Sequence, residues 1–140
     1  MSQLIDMLIK HEGSESHAYT DTVGKITIGV GRNIDPDGGL GLSPTEIAYL
    51  LQNDVSRVED ELFASFPWVE HIAYERADAL VNLCFNLGLP RFKKFKKALA
   101  AAEAGDWELC ANEFMDSKWA TQVGRRAEEV TNLIRYGVYL

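Results

Sequence analysis

Residues 9–31 read IKHEGSESHAYTDTVGKITIGVG, and within this stretch a helical pattern gives way to an extended one. Leu4, Leu8 and Glu12 recur every four residues, which places them along one face of a first helix. Gly13 follows directly and predicts the end of that helix, because glycine readily adopts the conformation that terminates helices. The helix is therefore expected to end close to Glu12, at the point where the chain passes into an extended segment.

The second half of the same stretch has the pattern of a β-hairpin. Val23-Gly24 is a candidate turn, and Asp21 precedes it. Over residues 25–31 apolar side chains alternate with threonine and glycine, which is typical of a strand with two different faces. Residues 35–39 are rich in aspartate, glycine and proline, a composition that is typical of a loop. The pattern predicts a small antiparallel sheet that is too small to hold a core alone.

From Ser43 onward the pattern is helical. Ser43 and Glu46 form a capping-box pattern at the start of a helix over about 43–63. Glycine or proline separates the later predicted helices. These later helices are placed at about 70–87, 92–104, 106–116 and 125–136.

The expected fold class is α+β, mostly α-helical, in a single domain of residues 1–140. A two-lobed shape is expected, with a groove between the lobes where an extended polymer would bind. The small β-containing lobe is predicted at about 14–42, and the helical lobe at about 1–13 and 68–140, with the helix at about 43–63 connecting them.

Length and composition exclude several classes of protein. The 140 residues are 46% hydrophobic and 25% charged, which is typical of one globular domain. No apolar run approaches the roughly 20 residues of a membrane-spanning helix, and the start lacks the pattern of a signal peptide. Cys84 and Cys110 are expected to be reduced core residues, and no cysteine or histidine spacing predicts a metal site.

The net charge of −7 argues against a nucleic-acid-binding protein, since these usually carry a basic surface. The dense basic run consists of Arg91, Lys93, Lys94, Lys96 and Lys97. A solvated helix face is the simpler interpretation of this run. A local contact with an anionic polymer is the alternative.

Three residues of the first segment are candidates for chemistry. Partial burial and the negative end of the helix dipole would both raise the pKa of Glu12, as a general acid requires. Alternatively, Glu12 pairs with an arginine or faces solvent. Asp21 stands at the mouth of the hairpin, where aspartate usually serves the turn itself. Thr27 lies on the glycine-bearing side of the strand, where it is either accessible to a ligand or an ordinary exposed threonine.

Taken together, two carboxylates and a hydroxyl suit the cleavage of a glycosidic bond. One carboxyl group protonates the leaving oxygen, and the other activates water or acts as nucleophile. The sequence contains no Gly-x-Ser-x-Gly elbow, phosphate-binding loop or dinucleotide fingerprint that would favour a competing chemistry.

The chain resembles the phage-type lysozymes of glycoside hydrolase family 24, the group that contains the T-even phage lysozymes. The resemblance rests on four segments spread over most of the chain. These are His11-Glu12-Gly13 followed by Ala18-Tyr19-Thr20-Asp21 and Gly24; Ile26-Thr27-Ile28-Gly29-Val30-Gly31; Leu83-Cys84-Phe85-Asn86-Leu87-Gly88; and Lys118-Trp119, Gln122 and Arg125-Arg126-Ala127.

The resemblance implies a lysozyme-like fold and hydrolysis, with inversion, of the β-1,4 bond between N-acetylmuramic acid and N-acetylglucosamine. It implies no metal or organic cofactor. Glu12 matches the general acid, Asp21 the second carboxylate, and Thr27 the hydroxyl that helps hold the attacking water. The implied substrate-binding residues are Gly31, Arg32, Phe85, Asn86 and Arg126.

Two of these residues, Arg32 and Arg126, affect how closely the site is expected to follow the family pattern. Arg32 stands where many relatives have histidine. Arg126 matches a basic residue near the acid, and a cation there would lower the pKa of Glu12, against burial and the dipole.

These observations predict a muramidase that acts on bacterial peptidoglycan, as a phage endolysin for host lysis. It is expected to be monomeric and to bind neither nucleic acid nor membrane. It would accumulate in the host cytoplasm and reach the wall through a membrane lesion made by another protein. A lytic transglycosylase on the same polymer and an inactive wall-binding module are the alternatives. The net charge predicts that wall binding is less tight and less sensitive to salt than that of basic relatives.

Overall fold

The computed structural model describes residues 2–140, a mostly helical chain with one small sheet. The predicted α+β class is therefore confirmed. The helices are α1 (Ser2–Glu12), α2 (Pro44–Ser65), α3 (Tyr74–Leu87), α4 (Leu89–Phe92), α5 (Lys96–Glu103), α6 (Trp107–Met115), α7 (Lys118–Val123) and α8 (Arg125–Tyr136), with a 3-10 turn at Pro67–His71. The strands are β1 (Glu15–Thr20), β2 (Ile26–Gly29) and β3 (Arg32–Asn33).

The chain divides into two compact units. The first unit runs to Leu50, and the second spans Leu51–Leu140. The predicted lobes, with residues 1–13 assigned to the helical one, stay a prediction. No helix within residues 2–140 combines the length and the apolar character needed to span a bilayer.

The first helix and the capping box form as predicted. Gly13 ends α1 with a φ of +80°, and its backbone N–H donates to the carbonyl of Ile9 at 2.8 Å. At the start of α2, the Ser43 N–H donates to Glu46 Oε1 at 2.8 Å, and the Glu46 N–H donates to Ser43 Oγ at 3.1 Å. Both ends follow from local hydrogen-bond chemistry, which is why the sequence predicts them well.

The sheet is antiparallel in the order β1-β2-β3, with β2 in the centre. Thr27 of β2 pairs with Tyr19 of β1 on one side and with Asn33 of β3 on the other. The predicted strand over residues 25–31 is wrong at its end, because β2 stops at Gly29. Gly31 has a φ of +66°, and at that turn the chain reverses into β3.

The apolar core of residues 2–140 lies in the second unit. Its fully buried aromatic side chains are Phe92 and Phe114, whose ring centroids are 6.3 Å apart. Of the three tryptophans, Trp119 is buried, and Trp68 and Trp107 pack against the core while half-buried. The other buried apolar residues are Val58, Leu62, Val69, Ala79, Leu80, Leu83, Cys84, Leu87, Ala98, Leu99, Ala101, Ala102, Cys110, Ala111, Ala120, Ala127, Val130, Leu133 and Ile134.

Some helix boundaries differ from the prediction. The helix placed at 70–87 begins only at Tyr74, because the 3-10 turn is followed by extended backbone at Ile72. The helix placed at 92–104 corresponds to α5, which begins only at Lys96. The short helix α4 precedes it, and Pro90 lies in the first turn of α4, where a missing N–H costs nothing. Helix α7 was not predicted, although Ser117 caps it by accepting from the Ala120 N–H.

Candidate active site

Glu12 is the last residue of α1, and its side chain is exposed. The predicted partial burial is therefore wrong. No hydrogen bond or ion pair to its carboxylate is found within residues 2–140, so the alternative of an arginine partner is not seen there. The carboxylate instead lies over the turn after β2: a β-carbon built on Gly31 would be 2.8 Å from Glu12 Oε2. The glycine thus leaves space that the acid occupies.

Asp21 stabilises the hairpin turn, as expected, through one of its two carboxylate oxygens. Its Oδ1 accepts from the N–H of Val23 at 3.0 Å and from the N–H of Lys25 at 2.8 Å. The Asp21 N–H donates to the carbonyl of Lys25 at 2.9 Å, which closes the hairpin. The carboxylate is therefore held in one orientation, and Oδ2 forms no hydrogen bond within the described part of the chain.

Thr27 is buried, since only 3% of it is exposed, so it is neither the ordinary exposed threonine of the alternative interpretation nor openly accessible to a ligand. Its hydroxyl donates to the carbonyl of Lys25 at 3.0 Å. With its proton committed there, Oγ1 retains lone pairs that can accept a further hydrogen bond.

The sheet register places Asp21 and Thr27 on the same face. Tyr19 faces Thr27 across the strands, and Asp21, two residues later, faces Lys25. The turn of Gly31 directly follows β2, and the carboxylate of Glu12 lies over this turn, so Glu12 is next to the same sheet. The first unit therefore supplies all three predicted catalytic residues. Among residues 2–140 no group of three histidine, cysteine or acidic side chains is arranged to hold a metal ion.

Arg32, a predicted substrate-binding residue, has structural partners in the first unit. Its guanidinium forms two contacts of 2.8 Å with the carboxylate of Glu46, and it donates to the carbonyl of Gly41 at 3.0 Å. The hydrogen bond from Arg32, together with those from Ser43, lowers the pKa of Glu46 to about 2. The pair fixes β3, which follows the Gly31 turn, to the start of α2. A role in substrate binding stays a prediction.

Sequence reasoning missed two side chains that support this region. Asp35 accepts from the N–H of Ile26 at 3.0 Å and from the N–H of Asp37 at 2.9 Å, and these bonds lower the pKa of Asp35. Asn33 Oδ1 accepts from the Asp35 N–H at 2.9 Å. Asparagine and aspartate two positions apart in a loop are the available sequence signal for such turns.

The remaining predicted binding residues lie in the second unit. Phe85, 40% exposed, and Arg126 line a cavity of about 280 Å³ together with Asn82. Arg126 donates from Nε and Nη2 to Asn82 Oδ1, at 3.1 and 2.9 Å. The side chain of Asn86 is directed elsewhere, since its Oδ1 accepts from Trp119 Nε1 at 2.7 Å. The structure thus brings Phe85 and Arg126 together and leaves Asn86 outside that cavity.

Comparison with known proteins identifies the family. The model of the phage lysozyme family matches residues 9–135, which include every predicted catalytic and binding residue. The chain belongs to the phage lysozyme family. The resemblance drawn from the sequence segments is thereby confirmed. Family membership makes the chain a muramidase-like lysozyme, a glycoside hydrolase whose substrate is peptidoglycan.

Individual relatives are moderately similar and cover nearly the whole chain. A probable T4-type lysozyme 2 of Dictyostelium discoideum is 29% identical, over 98% of this chain and 96% of the relative. A probable T4-type lysozyme 1 of the same organism is 27% identical, with the same coverage. The pre-baseplate central spike protein Gp5 of Enterobacteria phage T4 is 28% identical over 96% of this chain, which corresponds to only 28% of that longer protein.

Proposed function

We propose that this lysozyme hydrolyses the β-1,4 bond between N-acetylmuramic acid and N-acetylglucosamine with inversion at the anomeric carbon. The observation that carries the proposal is the exposed carboxyl group of Glu12, which lies on the Gly31 turn beside the sheet that carries Asp21 and Thr27. Two carboxyl groups and a hydroxyl on one small scaffold are the parts that such a hydrolysis needs.

Glu12 is proposed to protonate the leaving glycosidic oxygen. Its carboxyl group is exposed and, within residues 2–140, forms no ion pair, so it is free to approach a substrate oxygen.

Asp21 is proposed to act as the general base. Two backbone amides hold Oδ1 and so fix the direction of Oδ2, which would accept a proton from the attacking water. A carboxylate whose orientation is set by the backbone loses little conformational freedom when it takes up the proton.

Thr27 is proposed to orient the same water molecule. Because its hydroxyl proton is donated to Lys25, Oγ1 can only accept, and it would accept one hydrogen of the water while Asp21 takes the other. Both hydrogens are then occupied, and an oxygen lone pair is free to attack the anomeric carbon. The C–O bond to the leaving sugar breaks as Glu12 gives up its proton, and the new hydroxyl is on the opposite face.

The biological role proposed is that of a phage endolysin. The enzyme would act as a monomer, accumulate in the host cytoplasm and reach the wall after another protein has opened the membrane. The match of residues 9–135 to the phage lysozyme family supports this role.

Turbidity of outer-membrane-permeabilised Gram-negative cells tests the proposal. Wild type is expected to clear the cells, and Glu12→Gln should lose activity by about 10²–10⁴-fold, since glutamine cannot transfer the proton. Glu15→Gln is the matched control, because Glu15 is an exposed carboxylate of the adjacent strand, and it should clear the cells normally.

The products of the wild-type digest separate the remaining possibilities. Addition of one water and the inverted anomer, detected by mass spectrometry and NMR, would support the proposal. An anhydro sugar would show a lytic transglycosylase instead. Equal clearing by wild type and Glu12→Gln would exclude Glu12 as the acid, and binding without cleavage by wild type would show an inactive wall-binding module.

A further inference from the structure

The second unit carries a cationic surface that the proposed chemistry does not use. Five of the fourteen lysine and arginine side chains lie within residues 91–97, which contain no acidic residue. All five are exposed, and none of them forms an ion pair within the described part of the chain. We call this surface the basic face; it consists of Arg91, Lys93, Lys94, Lys96 and Lys97.

Helix stability does not explain the position of two of these cations. Lys96 and Lys97 are the first two residues of α5, at the positive end of the helix dipole, where cations are unfavourable. This helix has no side-chain cap and no acidic residue in its first turn. Helix α7 also begins with a lysine, Lys118, but Ser117 caps it. A solvated helix face therefore accounts poorly for Lys96 and Lys97.

A cavity adjoins the basic face. It has a volume of about 440 Å³, and its lining combines Lys93 and Lys96 with Phe66, Trp68 and Leu99. Trp68 is half-buried and is held edge-on by Phe66, with ring centroids 6.1 Å apart. A recessed aromatic ring with two free ammonium groups beside it suits a ligand that has an apolar flat side and negative charges.

Three acidic residues line cavities together with lysines of the basic face. Glu103 lines the same cavity, and Glu113 and Asp116 line a neighbouring one with Lys94 and Lys97. At physiological salt, exposed charges more than about 8 Å apart are largely screened. An anion at this surface therefore responds to the local cations rather than to the net charge of −7.

We infer that the basic face and its aromatic cavity form a second, non-catalytic binding site for peptidoglycan, with a sugar ring against Trp68 and stem-peptide carboxylates at Lys93 and Lys96. The choice of ligand rests on the proposed function, which supplies an anionic glycan as substrate. A membrane surface fits less well, because bilayer insertion needs protruding apolar side chains, whereas Phe66 and Trp68 are half-buried. The site would keep the enzyme on the wall between cleavage events.

The experiment measures binding to purified, insoluble peptidoglycan by co-sedimentation, in the Glu12→Gln background so that the polymer is not cut. Lys96→Gln is expected to weaken binding about threefold, and the Lys93→Gln/Lys96→Gln double variant about tenfold. Lys118→Gln is the matched control: it removes the same charge from an exposed first residue of another helix, and it should leave binding unchanged. Binding of the parent protein should decrease as salt is added, contrary to the expectation from net charge alone.

Two further arms identify the ligand chemistry. Amidation of the peptidoglycan carboxylates should abolish the difference between the Lys96→Gln variant and its parent. Phosphatidylglycerol vesicles should not bind in a Lys96-dependent way, and if only vesicles do, the site belongs to a membrane and the inference is wrong. Equal weakening by Lys96→Gln and Lys118→Gln would also overturn it, since net charge would then explain the binding.

The proposed function and this inference can fail separately. If wild type does not cut peptidoglycan but the binding still depends on Lys96, the binding site stands without the catalytic assignment. If wild type cuts normally and the lysine variants bind like their parent, the catalytic assignment stands and the second site is rejected. Thermal unfolding of each variant verifies that these exposed substitutions leave the fold intact.

Discussion

Each of the two units of this lysozyme is stabilised internally by a different kind of interaction. Within the described residues, every buried apolar side chain lies in the second unit, where aromatic rings such as Phe92 and Phe114 pack together. Among the described residues of the first unit the buried one is Thr27, and the chain is fixed by the carboxylates of Asp21, Asp35 and Glu46, which accept backbone N–H groups.

This difference indicates that the second unit mainly provides stability, whereas the first unit orients the candidate catalytic side chains. Apolar packing tolerates small shifts in atomic position and provides most of the free energy of folding. Hydrogen-bonded turns provide less free energy, but they fix the direction of individual side chains, which catalysis requires. Substitutions in the second unit should therefore lower stability first, and those in the first unit should lower activity first.

The largest effect on stability is expected from Phe114→Ala in the second unit. Phe114 is fully buried and contacts the rings of Phe92, Phe95 and Trp119. Its truncation should lower the free energy of unfolding by about 3–5 kcal/mol, measured by urea denaturation. Activity below the unfolding transition should be unchanged.

Leu109→Ala is the control for that substitution. Leu109 lies in the same helix but is 44% exposed, so its loss should cost much less. If Phe114→Ala reduced kcat while the protein remained folded, the separation between the units would be incorrect.

Gly31→Ala, in the first unit, should lower activity more than stability. A methyl group there would approach Glu12 Oε2, which would have to move, and a displacement of about 1 Å can cost about 100-fold in rate. The left-handed backbone adds a stability cost of about 1 kcal/mol. Gly41→Ala is the control, because it has nearly the same φ, +68°, with no atom within 4 Å of the added carbon.

Comparison of kcat/KM with the urea midpoint for both glycine variants decides this prediction. The two variants should lose similar stability, and only Gly31→Ala should lose activity. A similar activity loss in Gly41→Ala would show that backbone strain, and not displacement of the acid, is responsible.

The smallest effect concerns the pair of Arg32 and Glu46. Because the folded-state pKa of Glu46 is about 2, below its ordinary value of 4.5, the ionised group stabilises the fold above pH 4.5. This contribution is lost as the pH falls from 4.5 through 2. Glu46→Gln should therefore be less stable than wild type at neutral pH, and the difference should disappear toward pH 2.

Glutamine retains the capping-box acceptor, so the comparison isolates the charge. Glu128→Gln, in the first turn of α8 in the second unit, is the control and should not reproduce this pH dependence. Urea midpoints measured across that pH range provide the test. A difference that persists unchanged at the acidic end would exclude the ion pair as its origin.

The sequence predicted best those features that a few neighbouring residues determine. Gly13 ends α1, Ser43 and Glu46 cap α2, and the hairpin forms around Asp21, as the local patterns indicated. Family membership also followed from segments in the correct order. Boundaries such as the start of α3 at Tyr74 were wrong, because packing of the preceding 3-10 turn, and not local propensity, decides where the helix begins.

Residue types and their order along the chain thus determined the fold class, the family and the candidate acid, base and hydroxyl. Only the tertiary structure decided that Glu12 is exposed over Gly31, that Thr27 is buried, and that Arg32 binds Glu46. The physical reason is distance along the chain. Glu12 and Gly31 are separated by nineteen positions and Arg32 and Glu46 by fourteen, so neither contact leaves a periodic signal in the sequence, and each depends on how the turns between them bring the backbone together.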